Sequence, residues 1–441
     1  MTAYGLRCAF AVLLFGVSAY QLPVFQDLQL GEGFWAFAPD SRTYHRHAVR
    51  IADALQAGTE IPPLLDTSGE PVPSRRDFFL FTAFLYRVFG AHALYVPLLN
   101  AAFWSAVSIL SYGLARRMSG QEAGLIATLL VSFWPSTYIW SSQILKDSLV
   151  IFLLVLAFAL VTSFWNEQRR KGVAALVPLV LVAFLLAGLR DYLVPIFVVA
   201  IGGAVLAAAC RRQGARVARG CILMALLAAV FVLARSVDPI SFFSPSRSSI
   251  SEPADAGQPL ELEAGLDFLV SMFTLDQLTH PHEQNERLVL LIKREGLGFD
   301  GFGVLMASIP RGVATAMFVP FPWDWFSPPG DTGVFRKIAG IEVALLIALA
   351  PFFAIAMVNA ARFGSSDVWL FLAYVGVMAT ALGISVTNLP TMGDYVDGTL
   401  FRLRLQFVVP MFILLGAYAP ESLTKTLRRL LPRGPCHQSA H

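Results

Sequence analysis

Charge is what this sequence has least of. Asp, Glu, Lys and Arg make up 14% of its 441 residues, where a soluble domain carries about 25%. With 56% hydrophobic residues and a mean hydropathy of +0.63, that deficit excludes an ordinary soluble domain and reads as an integral membrane protein. The formal net charge is only +3, and the basic residues sit at the ends of apolar runs. No continuous basic stripe forms, so a nucleic-acid binder is excluded. Cysteine is nearly missing as well: Cys8, Cys210, Cys221 and Cys436 are the full set. None falls in a large outer loop of the topology below, so no structural disulfide is expected. G-x-S-x-G, H-E-x-x-H and C-x-x-C do not occur, which removes the common signatures of a serine hydrolase, a zincin and a dithiol redox site.

Long apolar runs are what the chain has instead. A bilayer core takes about 20 apolar residues per helix, and ten segments qualify: 6–23, 93–115, 121–140, 146–165, 173–189, 192–210, 220–237, 338–359, 367–387 and 404–420. The first, GLRCAFAVLLFGVSAY, also has the form of a secretory signal, with Val17-Ser18-Ala19 as a cleavage site. So many apolar segments follow that it is read as a retained signal anchor. The expected fold is an all-α polytopic membrane protein of about ten transmembrane helices. It forms a single transmembrane domain over 1–441, without internal repeats.

Lys and Arg in the short connections orient such a bundle. Arg116 and Arg117, then Arg169, Arg170 and Lys171, then Arg211, Arg212, Arg216 and Arg219, then Arg362, fall on one side. Lys425, Arg428, Arg429 and Arg433 in the tail join them. That side is expected to be cytoplasmic, with both termini inside a plasma (inner) membrane. Two large outer segments result. The first, 24–92, carries two amphipathic pieces expected to lie along the membrane surface. The second, 238–337, holds a Ser/Pro-rich stretch, an amphipathic helix near 262–294, and the run GFGVLMASIPRGVATAMFVPFPW. Arg311 and three prolines interrupt that run, which is therefore expected to be re-entrant or interfacial.

Three basic clusters break the orientation rule. Lys146-Asp147 opens the fourth span, Arg190-Asp191 joins the fifth and sixth, and Arg402 and Arg404 open the tenth. Ionisable groups at membrane depth are costly and face a cavity or a partner. A single such cluster is accounted for by pairing with its neighbouring Asp, or by snorkelling. Three of them on one face, beside Asp40, point to a shared anionic site. Lys and Arg suit a phosphate, and Arg can hold it through two parallel hydrogen bonds.

Asp40 begins the stretch PDSRTYHRHAVRIADAL, residues 39–55. As a helix from about residue 42 it lines up Tyr44, Ala48, Ile51, Ala52 and Leu55 on one face. Arg42, Arg46, Arg50 and Asp53 fall mainly on the other, as on an interfacial helix. Asp40 or Ser41 occupies the place of an N-cap, which is the plain structural role for Asp40. His45 and His47 diverge by about 200° on a helix and make a poor metal pair. Other literal motifs are set aside. Gly296-Leu297-Gly298-Phe299-Asp300-Gly301 fits G-x-G-x-x-G but follows no strand. His280-Pro281-His282-Glu283 is interrupted by proline, and Asp394 and Asp397 in GDYVDG read as a turn.

In order along the chain, four features resemble the GT-C superfamily of lipid-phosphate-sugar glycosyltransferases. Within it, the bacterial relatives of protein O-mannosyltransferases and lipid A aminoarabinose transferases are the most similar. The features are the acidic residue after the first span (APDSRTYHRHA), the jaw-helix-like FTAFLYRVFGAHALYVPLLNAAFWSAVSILSYGLARRMSG, the Pro and basic-acidic pair of WPSTYIWSSQILKDSLVIFLLVLAFAL, and the late span FRLRLQFVVPMFILLGAYA. The similarity covers about residues 6–210, more loosely the last 40, and weakly 238–337. Where some members carry an Asp-Glu pair, this chain has Asp40-Ser41.

The resemblance implies a sugar transferred from a polyprenyl-phosphate donor to an acceptor hydroxyl on the outer face. The lipid phosphate leaves as an anion without a protonating acid, so one carboxylate suffices as general base. The two-carboxylate arrangement of glycoside hydrolysis is not expected, and a single displacement inverts the sugar carbon. Asp40 matches the catalytic base. Lys146, Arg190, Arg404 and Arg402 are candidates for the donor phosphate, and Asp147 and Asp191 orient them. A monophosphate donor demands no divalent metal, so no cofactor is expected. The partners are the lipid-linked donor, membrane lipids and an envelope acceptor. Two other readings stay open: a polysaccharide polymerase or ligase with a diphosphate-linked donor, and a non-enzymatic lipid or sugar transporter, for which broken helices and paired repeats are the usual marks.

Overall fold

Pro39 starts the first helix outside the apolar segments, and its fixed φ and missing N–H suit that position. In the computed structural model this helix, α2 (Pro39–Ala57), follows α1 (Thr2–Ala19) and ends at Gly58, whose φ of 64° is the left-handed C-cap conformation. The structure describes residues 2–59, 61, 76–166, 169–236, 309–310, 312–322, 333–387 and 394–418. The expected helix near 262–294 and the motifs at 280–283 and 296–301 lie outside these residues, as do Arg311 and the basic tail. Between α1 and α2 a small antiparallel hairpin, Gln29–Gly31 with Phe34–Trp35, departs from a purely helical chain. It is fixed to α1 by Ser18 Oγ donating to the Phe34 carbonyl and by the Trp35 indole donating to the Leu14 carbonyl. Gly33 has φ 88°, and a Cβ there would fall 2.2 Å from the Phe15 ring, so the hairpin needs glycine at its turn.

The apolar runs then form helices in sequence order. They are α3 (Arg76–Phe89), α4 (Tyr95–Ser119), α5 (Gln121–Phe133), α6 (Pro135–Ser141), α7 (Asp147–Asn166), α8 (Arg169–Ala174), α9 (Leu176–Leu189), α10 (Leu193–Cys210) and α11 (Gly214–Ser236). After a helical stretch at 312–318 come α12 (Gly333–Phe363), α13 (Ser366–Thr387) and α14 (Asp394–Tyr418). Seven described helices are long and apolar enough to cross a bilayer, and eight if α5 and α6, bent by 52°, count as one span. The protein is thus a multi-pass helical membrane protein. The described residues of the ten apolar segments fall mostly on these helices or on the bent pair, and by length and composition seven or eight of the helices are candidate spans.

Helix α4 packs on α5 and α7, α10 on α11 and α13, and α14 against α4, α5 and α12. Helix α14 approaches α5 closely because residue 416 is Gly: a Cβ there would sit 2.6 Å from the Ala123 carbonyl. The α2–α3 pair forms its own layer. Tyr44, Ala48, Ile51 and Ala52 of α2 and Phe78, Phe79, Ala83 and Tyr86 of α3 are buried, with Tyr44 between Phe78 and Phe79. His47 is buried against Phe79. Phe84, Val88 and Phe89 on the other face of α3 are exposed, as an interfacial helix requires.

Candidate active site

The helix that was expected to begin near residue 42 begins three residues earlier, and this changes what Asp40 does. Ala38 occupies the N-cap without a side-chain cap bond, so neither Asp40 nor Ser41 is the cap. Asp40 lies in the first turn, where a carboxylate interacts favourably with the helix dipole. Its Oδ2 accepts from both terminal nitrogens of Arg402 on α14, each at 3.2 Å. Ser41 is buried and its Oγ accepts from the Ile144 amide at 2.9 Å. The two neighbours therefore tie the start of α2 to opposite parts of the chain, the last helix and the connection before α7.

From Arg402 the ionic contacts continue inward. Arg402 lies 3.9 Å from Asp147 Oδ2, and Arg190 donates to Asp147 Oδ1 at 3.0 Å. Asp40, Arg402, Asp147 and Arg190 alternate in charge along one chain of contacts. Side-chain exposure falls from 31% at Asp40 through 13% at Arg402 to 5% at Asp147, so Asp40 is the end of the chain that a substrate can reach. Asp147 is the first residue of α7, another favourable place for a carboxylate. Burial works against the charge on Arg190, but Tyr192 and Asp147 outweigh it and hold its pKa above the ordinary guanidinium value. The Tyr192 phenol oxygen is 3.1 Å from the Gln406 side-chain amide.

The connection 142–146 carries the next candidate. Lys146 is buried, and its Nζ donates to the Leu189 carbonyl at 2.7 Å, beside Arg190. The connection is held from a second side by Asn100 of α4, whose amide donates to the carbonyls of Gln143 at 2.9 Å and Leu145 at 3.3 Å. Below it Trp140 of α6 is buried, with the Arg402 guanidinium 5.4 Å from its ring centroid, within cation–π range.

Two candidates take different partners from those their neighbours in sequence suggest. Arg190 pairs with Asp147, while the Asp191 carboxylate accepts from the Tyr192 amide at 2.9 Å, at the start of α10. Arg404 is buried and donates from Nε to the Ala316 carbonyl at 2.9 Å and from Nη2 to the Val319 carbonyl. Residues two apart on a helix point about 200° apart, so Arg402 and Arg404 cannot face one site. Arg404 serves the 312–319 segment instead. Ser41, Asn100, Trp140 and Gln406 were missed from sequence. Asn100 carries the usable signal, a lone amide inside an apolar run; Trp140 looks like any other core aromatic. Among the described residues no group of three or more His, Cys, Asp or Glu side chains is placed to hold a metal ion.

Fold and site together define a multi-pass helical membrane protein with a carboxylate–guanidinium chain leading from a half-exposed Asp40 into the bundle. No protein-family model matches the sequence, and no curated protein matches it. Solved structures similar to it include the oligosaccharyltransferase of Archaeoglobus fulgidus in complex with zinc and sulfate, at 18% identity and a TM-score of 0.41, over 95% of this chain and 53% of that one. The apo form of the same enzyme aligns at 13% identity and a TM-score of 0.36, over 99% and 58%. The chain spans little more than half the length of these structures. The likeness is remote, and the functional reading rests on the residues described above.

Proposed function

We propose that the protein is a membrane glycosyltransferase of the GT-C kind, moving a sugar from a polyprenyl-phosphate donor to an acceptor hydroxyl at the outer face of a plasma (inner) membrane. The observation that carries this reading is the contact of Asp40 with Arg402 at 3.2 Å. It joins a partly exposed carboxylate to a guanidinium and, through Asp147, to a second one. In the proposed reaction Asp40 takes the proton of the acceptor hydroxyl as its oxygen attacks the anomeric carbon. The bond from that carbon to the phosphate oxygen breaks on the opposite side, and the configuration inverts. The leaving phosphate keeps the electron pair and is stabilised by Arg402, Arg190 and Lys146, held in place before the charge develops. Asp147 keeps the two guanidinium groups in position. Arg404, which points to the opposite face of α14 from Arg402 and reaches the 312–319 segment, is left out of phosphate recognition.

The test is transfer by purified protein with a panel of synthetic short-chain polyprenyl-phosphate hexoses and pentoses, using simple alcohols as acceptors. Loss of a general base costs about 10²–10⁴-fold in rate, so Asp40→Asn should lose transfer by that factor while donor binding persists. Transfer at the wild-type rate by a well-folded Asp40→Asn protein contradicts the assignment. The transporter reading has one observation in its favour, the 52° break between α5 and α6, since broken helices are common in transporters. Movement of the same lipid-linked sugars across proteoliposomes, with no product formed, would support that reading instead.

A further inference from the structure

The break between α5 and α6 precedes the candidate site in sequence and involves two buried titratable side chains that the proposed reaction does not use. Pro135 has no N–H, so the Val131 carbonyl four residues back loses its donor. The next amide, that of Ser136, does not replace it: it donates to Glu342 Oε2 of α12 at 3.0 Å. The Ser132 carbonyl is thereby released as well. Both carbonyls receive Nη2 of Arg7 on α1, at 3.4 Å and 2.8 Å, and the same nitrogen donates to Thr137 Oγ1 at 2.9 Å. The Arg7 guanidinium also lies 4.3 Å from the centroid of the Tyr138 ring. Arg7 and Glu342 are both fully buried, where an ionised side chain is retained only with strong partners.

Backbone groups freed by a proline break must find new partners inside a membrane. Here the Arg7 guanidinium serves the carbonyl side of the break and a carboxyl oxygen of Glu342 serves the amide side, and they come from two helices distant in sequence, α1 and α12. What the break aims is specific. Five residues beyond Pro135, Trp140 lies under Arg402. Four residues further, the Ile144 amide meets Ser41 beside Asp40. Lys146 and Asp147 follow directly.

We propose that Arg7 and Glu342 are a pair of positioning residues that fix the α5–α6 bend and thereby set the placement of Trp140, the 142–146 connection and the Asp40–Arg402 contact. The catalytic part of this inference rests on the transferase reading; the geometric part does not. Glu342 acts as a hydrogen-bond acceptor for the Ser136 amide, so glutamine, which keeps a carbonyl oxygen, should replace it and alanine should not.

Two readouts test this. In a background without native cysteines, Ser41→Cys with Ile144→Cys reports the position of the connection by its rate of oxidative cross-linking. Glu342→Ala should slow that rate several-fold, Arg7→Ala should do the same, and Glu342→Gln should leave it unchanged. In the transfer assay, misplacement of this kind costs about 10²-fold. Glu342→Ala should show that loss in kcat with KM for the donor unchanged, and Glu342→Gln should restore it. If the alanine variant fails to fold, Glu342→Met, closer to the native side chain in volume, takes its place. Unchanged cross-linking in the folded alanine or methionine variant overturns the proposal, as does equal damage from glutamine and alanine. If the wild type transfers no sugar, the transferase reading fails while cross-linking still decides whether the pair fixes the bend.

Discussion

The two ends of helix α7 show two ways of using arginine. Twenty residues at 1.5 Å each put them about 30 Å apart. At the Asn166 end, Arg211 donates to the Gly364 carbonyl at 2.6 Å, Arg219 to the Trp165 carbonyl at 2.8 Å and Arg216 to the Asn166 side chain at 2.9 Å. Arg211 and Arg219 take backbone carbonyls near helix ends that would otherwise lack donors, while the Asn166 that accepts from Arg216 donates in turn to Asp367, so one carboxylate lies at this end too. At the Asp147 end, Arg402 and Arg190 are bound to carboxylates, and Asp147 meets both cations. The first arrangement mainly closes helix ends. The second costs desolvation on every member and leaves its terminal carboxylate partly exposed. An arrangement that spends stability and keeps an open end is the one to which we assign the proposed chemistry.

Substitutions at the two ends should separate them. The largest effect on stability is expected from Asp147→Ala, which leaves Arg402 and Arg190 without their shared carboxylate. Removing one member of a buried ionic group costs about 3–5 kcal/mol, so the variant should unfold at clearly lower denaturant or temperature, and its transfer activity should collapse. Arg402→Lys keeps the charge but loses the paired contact with Asp40. A charge-assisted hydrogen bond contributes about 1.5–3 kcal/mol, so transfer should fall roughly ten- to hundredfold with little change in melting temperature. At the other end Arg219→Ala should cost about 1 kcal/mol and leave transfer per folded molecule unchanged. A large activity loss there, or none with Arg402→Lys, would erase the distinction.

The smallest effect concerns the α2–α3 layer. His45 Nδ1 is 2.7 Å from the Tyr86 hydroxyl, and burial lowers the His45 pKa. The folded layer therefore favours neutral His45, and the unfolded segment takes up the proton first. Stability is complete above the unfolded value of about 6.5 and declines as pH falls through it, until the lower folded pKa is reached. Protection factors over residues 39–57, with the observed exchange referred to the intrinsic rate at each pH, should be lower at pH 5.5 than at pH 7.5, and His45→Phe should remove most of that difference.

Much of this was legible in the sequence because membrane physics is severe. Apolar runs must be helical, and charges that break the orientation rule stand out. That logic singled out Asp147, Arg190 and Arg402, and the family resemblance singled out Asp40; the structure brings all four into one chain of contacts. It did not give the pairing. Arg190 was matched to adjacent Asp191, yet it reaches Asp147, 43 residues earlier, because the turn after Leu189 sits beside the start of α7. Arg404 was grouped with Arg402 by proximity, although helical geometry sends side chains two apart to opposite faces. Glu342 did leave a signal, a single carboxylate inside an apolar run. Its partner, however, is a backbone amide freed by Pro135 on another helix, and no pattern along the chain links the two.

The central claim is that Asp40 and Arg402 act as one unit in sugar transfer. It is tested most directly by a double-mutant cycle, with transfer rates for wild type, Asp40→Asn, Arg402→Ala and the double variant measured on folded protein. Residues that act together lose activity non-additively, so the double variant should be no slower than Asp40→Asn alone. Losses that simply multiply, or a folded Asp40→Asn protein that transfers at the wild-type rate, would contradict it.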